Sequence, residues 1–377
     1  MSAAGGAAAE RIQRVTMPKW GLAMTEGTIV AWRVGEGERV ARGRELVEIE
    51  TQKTNGVVEA VQDGLLRRIV AEAGSEVPVG GTIAVLAPAE VPDEDVDRVV
   101  EEARAQLASG EVGEVGGPQL RIVDVGGRTI AAVAAGEGSE TALLLHGYGG
   151  DKNQWMFVQE PLAGDRRVLA IDLPGHGASD KDVEGLDLDG LAALVWEVVD
   201  ASDVAGGVHL VGHSLGGAIA TAAAARAPER VRSLTLVAPA GFGSAPDAEY
   251  LRGFAAATSR RELRPLLGRL FADESMVTRQ MTEDLLRYKR IDGVTEVLRM
   301  LCDTLLDGDA QAIDARPLLA RVTAPKVVVW GAEDRILPPA EVPGADVRIV
   351  EGAGHMVQLE RPQEVIAAAR AAAGGRR

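Results

Sequence analysis

The segment Leu210-Val-Gly-His-Ser-Leu-Gly-Gly217 limits the fold of this chain more than any other stretch. An apolar run enters it and an Ala-rich run, Ala218 to Arg226, leaves it. A buried strand therefore passes through a tight Gly-x-Ser-x-Gly turn straight into a helix. Glycines flank Ser214 because the turn is sharp and the serine sits in a strained conformation. The helix start favours negative charge developing beside it, so Ser214 is the candidate nucleophile.

A strand of this kind needs parallel neighbours, and the sequence from 118 onward supplies them. Candidate strands lie at 120–125, 129–134, 141–145, 167–171, 208–211, 233–238, 326–330 and 346–350. Most are unbroken Val/Leu/Ile/Ala runs, the pattern of strands covered on both faces, and helical patterns separate them. Over about 241–322 the alternation gives way to helical segments only. Ser259-Arg-Arg-Glu262 reads as a capping box, followed by Leu263, Leu266, Leu267 and Leu270 on one face. A helical insertion between strands forms a lid over an active site.

Residues 13–88 have another texture. Thr28 to Val34, Leu46 to Ile49 and Ile83 to Leu86 read as strands. The segment also repeats: Gly27, Gly37, Val40, Gly43, Leu46 and Ile49 recur 37 residues later as Gly64, Gly74, Val77, Gly80, Ile83 and Leu86. Two similar half-sheets facing each other account for this. A hairpin at Thr51-Gln-Lys-Thr54 then presents Lys53. Residues 1–12 read as a disordered tail. Residues 89–117 read as a linker, with Val96, Val99, Val100, Ala103 and Leu107 on one stripe of a short helix that docks on one domain.

The net charge of −16 disfavours nucleic acid or an anionic membrane as partner. No apolar run is long enough to span a bilayer, and the Ala/Gly-rich start lacks the basic region of a signal peptide. Cys302 is the only cysteine, which excludes an intrachain disulfide and a cysteine-based zinc site. These features predict a cytoplasmic enzyme without a metal site.

Residues 118–373 resemble the α/β-hydrolase family. Leu145-His-Gly-Tyr-Gly149 is similar to its oxyanion loop, and Asp172-Leu-Pro-Gly-His-Gly-Ala-Ser179 to the loop after its fourth strand. The resemblance implies that the backbone N–H groups of Tyr148 and Leu215 hold an oxyanion. Val329-Trp-Gly-Ala-Glu-Asp334 supplies the acid and Gly352-Ala-Gly-His355 the base, in the order Ser…Asp…His expected of this fold. His355 would take the serine proton, and Asp334 would hold the ring tautomer. Glu333 is the rival acid; the spacing from Gly331 selects Asp334. His146, His176, His209 and His213 read as structural, and Cys302 as an apolar filler. Met276, Met281, Met300, Phe254 and Phe271 either line an acyl pocket or form the core of the lid.

Residues 13–88 resemble the lipoyl domain of 2-oxo acid and acetoin dehydrogenase complexes. The resemblance rests on Met17-Pro-Lys-Trp-Gly-Leu-Ala-Met-Thr-Glu-Gly27 and on the pattern around Lys53, with Gln52 where that family usually has Asp. It implies covalent lipoate on Lys53. Biotin domains place Met on both sides of the lysine; here Gln52 and Thr54 stand there.

The pairing of the two domains is similar to the acyltransferase subunit of acetoin dehydrogenase complexes. It implies acetyl transfer from lipoyl-Lys53 to coenzyme A, with thiamine-dependent, acetoin-cleaving subunits and dihydrolipoyl dehydrogenase as partners. The His-x-x-x-Asp-Gly motif of the usual transferase core is absent, as is an Arg-rich two-helix module for binding the dehydrogenase. Three readings stay open: the acetyltransferase, a hydrolase or thioesterase with a tethered carrier, and a carrier subunit with a non-catalytic scaffold. The oligomeric state also stays open.

Overall fold

The internal repeat folds as a reciprocal exchange of strands. In the computed structural model, which describes residues 12–18, 20, 24–41, 43–51, 55–60, 63–109, 118–204, 206–243 and 246–374, the chain forms two compact units, Met1–Gly117 and Pro118–Arg377. The first contains β1 (Gln13–Thr16), β2 (Glu26–Trp32), β3 (Arg39–Val40), β4 (Glu45–Glu50), β5 (Asn55–Glu59), β6 (Gly64–Ile69), β7 (Glu76–Pro78) and β8 (Thr82–Ala87). They form two four-stranded antiparallel sheets, ordered β1-β8-β6-β3 and β5-β4-β2-β7. In the first repeat β2 pairs with β4, and in the second β6 pairs with β8. The short strands cross over, β7 to β2 and β3 to β6. Each half thereby completes the other's sheet.

Related glycines make the turns. Gly37 and Gly74 both have φ of 87°, and Gly43 and Gly80 have φ of 84° and 83°, a region that residues with a Cβ seldom enter. The N–H of Gly37 donates to the Leu66 carbonyl at 2.7 Å, and that of Gly74 to the Ile29 carbonyl at the same distance. Ile29, Leu46 and Ile49 and their repeat mates Leu66, Ile83 and Leu86 are fully buried.

The helical stripe after this unit becomes α1 (Asp93–Ser109), with acidic residues in its first turn and Val96, Val100 and Ala103 buried. Val96 and Val100 pack with Val85, Ala87 and Val91. The buried Arg67 holds the approach to α1, donating to the Pro88 and Val91 carbonyls and to Asp93. The tail expected over residues 1–12 lies, apart from Ile12, outside the described residues. So do Gln52, Lys53 and Thr54 and the Gly-rich end of the linker, 110–117.

The second unit is built on one eight-stranded sheet: β9 (Gln119–Val125), β10 (Arg128–Ala135), β11 (Thr141–Leu145), β12 (Arg167–Ile171), β13 (Val208–His213), β14 (Val231–Val237), β17 (Lys326–Gly331) and β18 (Asp346–Val350). Its order is β18-β17-β14-β13-β11-β12-β10-β9. The six strands from β11 onward run parallel. β9 and β10 are antiparallel, joined by a tight hairpin at Gly126 and Gly127, both with positive φ. Both faces of the sheet are covered, so β11 and β13 are buried at every position and largely apolar. Leu143 and Leu145 of β11 face one core, with Leu194, Val198 and Ile219. Ala142 and Leu144 face another, with Val158, Leu162 and Val365. The first core belongs to α3 (Leu188–Ala201) and α4 (Leu215–Arg226), the second to α2 (Met156–Ala163) and α11 (Pro362–Ala372).

Between β14 and β17 come α5 (Ala248–Ala256), α6 (Arg260–Gly268), α7 (Arg279–Lys289), α8 (Val294–Leu305) and α9 (Arg316–Leu319). The capping box forms as the sequence predicts: Ser259 accepts from the N–H of Glu262, and the Glu262 side chain accepts from that of Ser259. Where helices alone were expected, a small hairpin, β15 (Leu306–Asp307) with β16 (Ala310–Gln311), turns at Gly308 with φ of 62°. The glycine supplies the turn of the hairpin, while α8 ends at Leu305 where Leu306 becomes extended. A short helix, α10 (Val357–Glu360), precedes α11. No helix of the described residues is long and apolar enough to cross a membrane.

Candidate active site

Ser214 sits between β13 and α4 with φ 53° and ψ −119°, a left-handed conformation that non-glycine residues adopt only when the surroundings impose it. Those surroundings are backbone on all sides. A Cβ at Gly212 would lie 2.3 Å from the Gly216 carbonyl oxygen, and one at Gly216 would lie 2.3 Å from that of Leu145. The Ser214 N–H is tied to the Val237 carbonyl at 3.0 Å, and its own carbonyl accepts from Ala240 at 3.0 Å. The turn is clamped against β11 on one side and the end of β14 on the other.

Asp334 follows β17 in a loop that it organises itself. One oxygen accepts from the N–H of Ile336 at 2.8 Å and of Leu337 at 2.9 Å. The other accepts from Trp330 Nε1 at 3.1 Å and faces His355 Nδ1 at 2.8 Å. A carboxylate only accepts. The ring proton therefore stands on Nδ1, and Nε2 is left as the basic nitrogen. Glu333, the rival acid, caps the next loop instead, accepting from the N–H groups of Gly352 and Ala353.

His355 is held by the helical insertion as well as by the sheet. Its N–H donates to the Leu270 carbonyl at 2.8 Å. The buried Glu360 accepts from Gly354 N–H at 2.8 Å and from Ala272 N–H at 2.7 Å, joining the histidine loop to the end of α6. Burial raises its carboxyl pKa above the usual range. Arg335 donates to the Gly268 and Phe271 carbonyls on the same segment. Sequence reading misses the roles of Glu360, Trp330 and Arg335: Glu360 reaches Ala272 and Arg335 reaches Gly268 and Phe271 far along the chain, and the indole of Trp330 folds back on its own loop.

The remaining histidines have other tasks. His213 points its Nε2 at the His355 carbonyl at 2.9 Å and packs ring against ring with it, 4.7 Å between centroids. Burial, then the neighbouring His355, holds its pKa well below the usual value. His146 accepts from Leu173 N–H and His176 from Gly149 N–H, while their Nδ1 atoms face the Gly147 and Pro174 carbonyls. Burial lowers both, His176 to about 3, so both rings are neutral. His209 is buried between Ser233 and Glu140. After the loop that follows β11 comes a buried ion pair, Lys152 with Asp172 at 2.7 Å, and the same carboxylate accepts from the N–H groups of Lys152 and Ala178.

Ser214 and His355 open onto one cavity of about 160 Å³. Tyr148, Gln154 and His213 are among its lining residues, and most of the remaining wall is apolar, including Leu251, Leu267, Ile336 and Met356. Phe254, Phe271 and Met281 also line it, whereas Met276 and Met300 are exposed and Cys302 is buried within the helices. Tyr148 is pinned over the cavity by its hydroxyl, which donates to the Leu298 carbonyl of α8 at 2.7 Å. Leu215 is the first residue of α4. Among the described residues, no group of three or more His, Cys, Asp or Glu side chains is placed to hold a metal ion. β4 and β5 pair antiparallel with Glu50 opposite Asn55, both exposed, on either side of Lys53 in the sequence.

Comparison with known proteins agrees with this architecture. Residues 13–86 match a family model described as "Biotin-requiring enzyme", and residues 142–369 match that of the alpha/beta hydrolase family. A solved Rhodococcus 2-hydroxy-6-oxo-6-phenylhexa-2,4-dienoate hydrolase superposes with a TM-score of 0.60, covering 68% of this chain and 98% of its own; at 21% identity it bears on the fold alone. Fold and site thus define a carrier-type β unit followed by an α/β hydrolase. The dihydrolipoyllysine-residue acetyltransferase component of the acetoin cleaving system of Pseudomonas putida is 44% identical over 360 residues, 94% of this chain and 96% of that protein. Its namesake from Cupriavidus necator is 43% identical, over 96% of this chain and 97% of its own. The chain belongs to the family of these two proteins, the acetyltransferase components of acetoin cleaving systems.

Proposed function

We propose that this chain transfers an acetyl group from its own lipoyl carrier to coenzyme A, through an acetyl ester on Ser214. The observation that carries the reading is Ser214 in its strained turn, sharing a cavity with a His355 already hydrogen-bonded to Asp334, in a chain whose first unit matches a biotin/lipoyl model. Lys53 is the attachment point for lipoate, which supplies a thiol that bears the acetyl group as a thioester. The exposed ends of β4 and β5 suit a lysine that must reach solvent.

Ser214 Oγ attacks the thioester carbonyl carbon while His355 Nε2 takes its proton. Asp334 stabilises the resulting imidazolium. The N–H groups of Tyr148 and Leu215 hold the oxyanion. The carbon–sulfur bond breaks, and His355 returns the proton to the departing sulfur. The thiol of coenzyme A then attacks the acetyl ester while His355 takes its proton; the bond from the acetyl carbon to Ser214 Oγ breaks, and His355 passes that proton to Oγ, restoring Ser214. The cavity, well below the roughly 300–1,000 Å³ of common ligand pockets, suits a short acyl group. The helices over residues 241–322 act as a lid that keeps water from the ester. The reaction belongs in the cytoplasm, with acetoin-cleaving and dihydrolipoyl dehydrogenase subunits as partners.

The test is the fate of the acetyl group. Acetyl-dihydrolipoamide is supplied with and without coenzyme A, and the products are separated. Acetyl-coenzyme A from wild type but not from Ser214→Ala is the expected result. Free acetate, indifferent to coenzyme A, would make this a hydrolase with a tethered carrier. Unchanged transfer by Ser214→Ala would make the second unit a scaffold.

A further inference from the structure

Most polar side chains around the cavity are spoken for. Tyr148 donates to Leu298, His213 engages the His355 carbonyl through Nε2 while its Nδ1 is buried without a partner, and His355 Nδ1 engages Asp334. Gln154 is different. It lines the cavity with Ser214, yet its side-chain oxygen is buried without a partner, and its amide nitrogen makes no hydrogen bond among the described residues. The amide lies flat on the oxyanion loop: a Cβ at Gly150 would come within 2.3 Å of Gln154 Nε2 and 2.7 Å of Oε1. Its oxygen is sealed against protein, so the NH₂ is the half that the cavity can reach.

The backbone that carries Gln154 is rigid. Residues Lys152–Trp155 form a single tight turn capped by Asp151, and Asp172 grips Lys152 through both its N–H and its ammonium. An unpaired donor fixed in an apolar wall lacks a partner in the resting protein. In acyl transfer at Ser214, the atom that most needs a donor is the carbonyl oxygen as it gains negative charge.

We infer that Gln154 is a catalytic residue whose side-chain NH₂ is a third donor to the oxyanion, beside the N–H groups of Tyr148 and Leu215. The assignment rests on Ser214 being the acyl-transfer nucleophile. It does not depend on whether coenzyme A or water resolves the ester.

The test uses the full-length chain and p-nitrophenyl acetate, whose acetyl group reaches Ser214 under either acceptor. Gln154→Met keeps the length of the side chain and removes the donor. It is expected to lower kcat by about 10²-fold, the usual effect of losing one oxyanion donor, with KM little changed. The decisive readout is a pair of ketone inhibitors of the same shape. A trifluoromethyl ketone, which adds Ser214 and carries the oxyanion, loses affinity by a similar factor in the variant. The methyl ketone, which binds without adding, does not. Equal weakening of both ketones, or an unchanged kcat, overturns the assignment and leaves Gln154 a packing residue. If Gln154→Met does not fold, the isosteric Gln154→Glu replaces it. That variant is expected to be slower still, because its carboxylate opposes the oxyanion, and a wild-type rate would overturn the proposal. The acceptor is scored separately: acetate in place of acetyl-coenzyme A refutes the transferase reading and leaves the role of Gln154 standing.

Discussion

Ser214 holds a conformation that its neighbours impose, and this strain has a measurable consequence. A residue kept at φ 53° stores of order 1–3 kcal/mol. Ser214→Gly removes the proposed nucleophile but relieves the strain, so the variant is expected to be inactive and to melt higher than wild type, by about 2–4 °C for each kcal/mol recovered. A melting point below that of wild type would show that the turn is not strained. Asp334 accepts four hydrogen bonds, one of them from His355. Asp334→Asn puts an NH₂ where an acceptor is required and favours the wrong ring tautomer. A loss of order 10⁴ in the rate of serine acetylation is expected, measured by burst kinetics with an activated acetate ester.

At the scale of elements, the histidine loop depends on the insertion that follows β14. Glu360 joins Gly354 to Ala272, and Leu270 receives the N–H of His355. Glu360→Ala leaves the buried N–H of Gly354 without a partner, at roughly 1–3 kcal/mol, and frees the half-buried N–H of Ala272. A lower melting temperature together with a lower kcat is expected, and an unchanged kcat in the destabilised variant would separate the loop from catalysis. The repeat of the first unit makes a paired prediction. Gly37 and Gly74 share a φ of 87° and equivalent hydrogen bonds. Gly37→Ala and Gly74→Ala are therefore expected to destabilise that unit by similar amounts, about 1 kcal/mol or more each. Chemical denaturation followed on the first unit's tryptophans checks this, and unequal losses would show that the repeat is not energetically symmetric.

For the whole molecule, the buried histidines govern behaviour in acid. Burial holds His146, His176 and His213 neutral, His176 down to about 3. In the unfolded chain each titrates near the usual 6.5. Between those values the unfolded state binds more protons, so stability falls as pH drops below about 6.5, by up to about 1.4 kcal/mol per pH unit for each such ring, and for His176 the loss levels off near 3. Protonation also removes the acceptors used by Leu173 and Gly149. Melting curves from pH 7 to 4 are expected to show this slope, and His176→Gln to reduce it by one ring's share. A flat profile would mean that these rings titrate normally.

Much of this architecture is legible in the chain itself. The inner parallel strands of the second unit, β11 to β14 and β17, are largely apolar runs because both faces of the sheet are covered there, and the 37-residue repeat is visible because related turns need glycine at related places. Local chemistry suffices there: periodicity, capping and backbone conformation are read over a few neighbouring residues. The sequence also singles out Ser214, Asp334 and His355 by the loops they occupy. Only the tertiary structure decided that Asp334 bonds His355, that Glu360 and Leu270 hold the histidine loop, and that Gln154 reaches the Ser214 cavity with an unpaired amide. Asp334 and His355 are 21 residues apart and Glu360 and Ala272 are 88 apart, while Gln154 meets Ser214 only across a cavity wall. Pairings of that kind are set by the packing of sheet and helices, which no local pattern records.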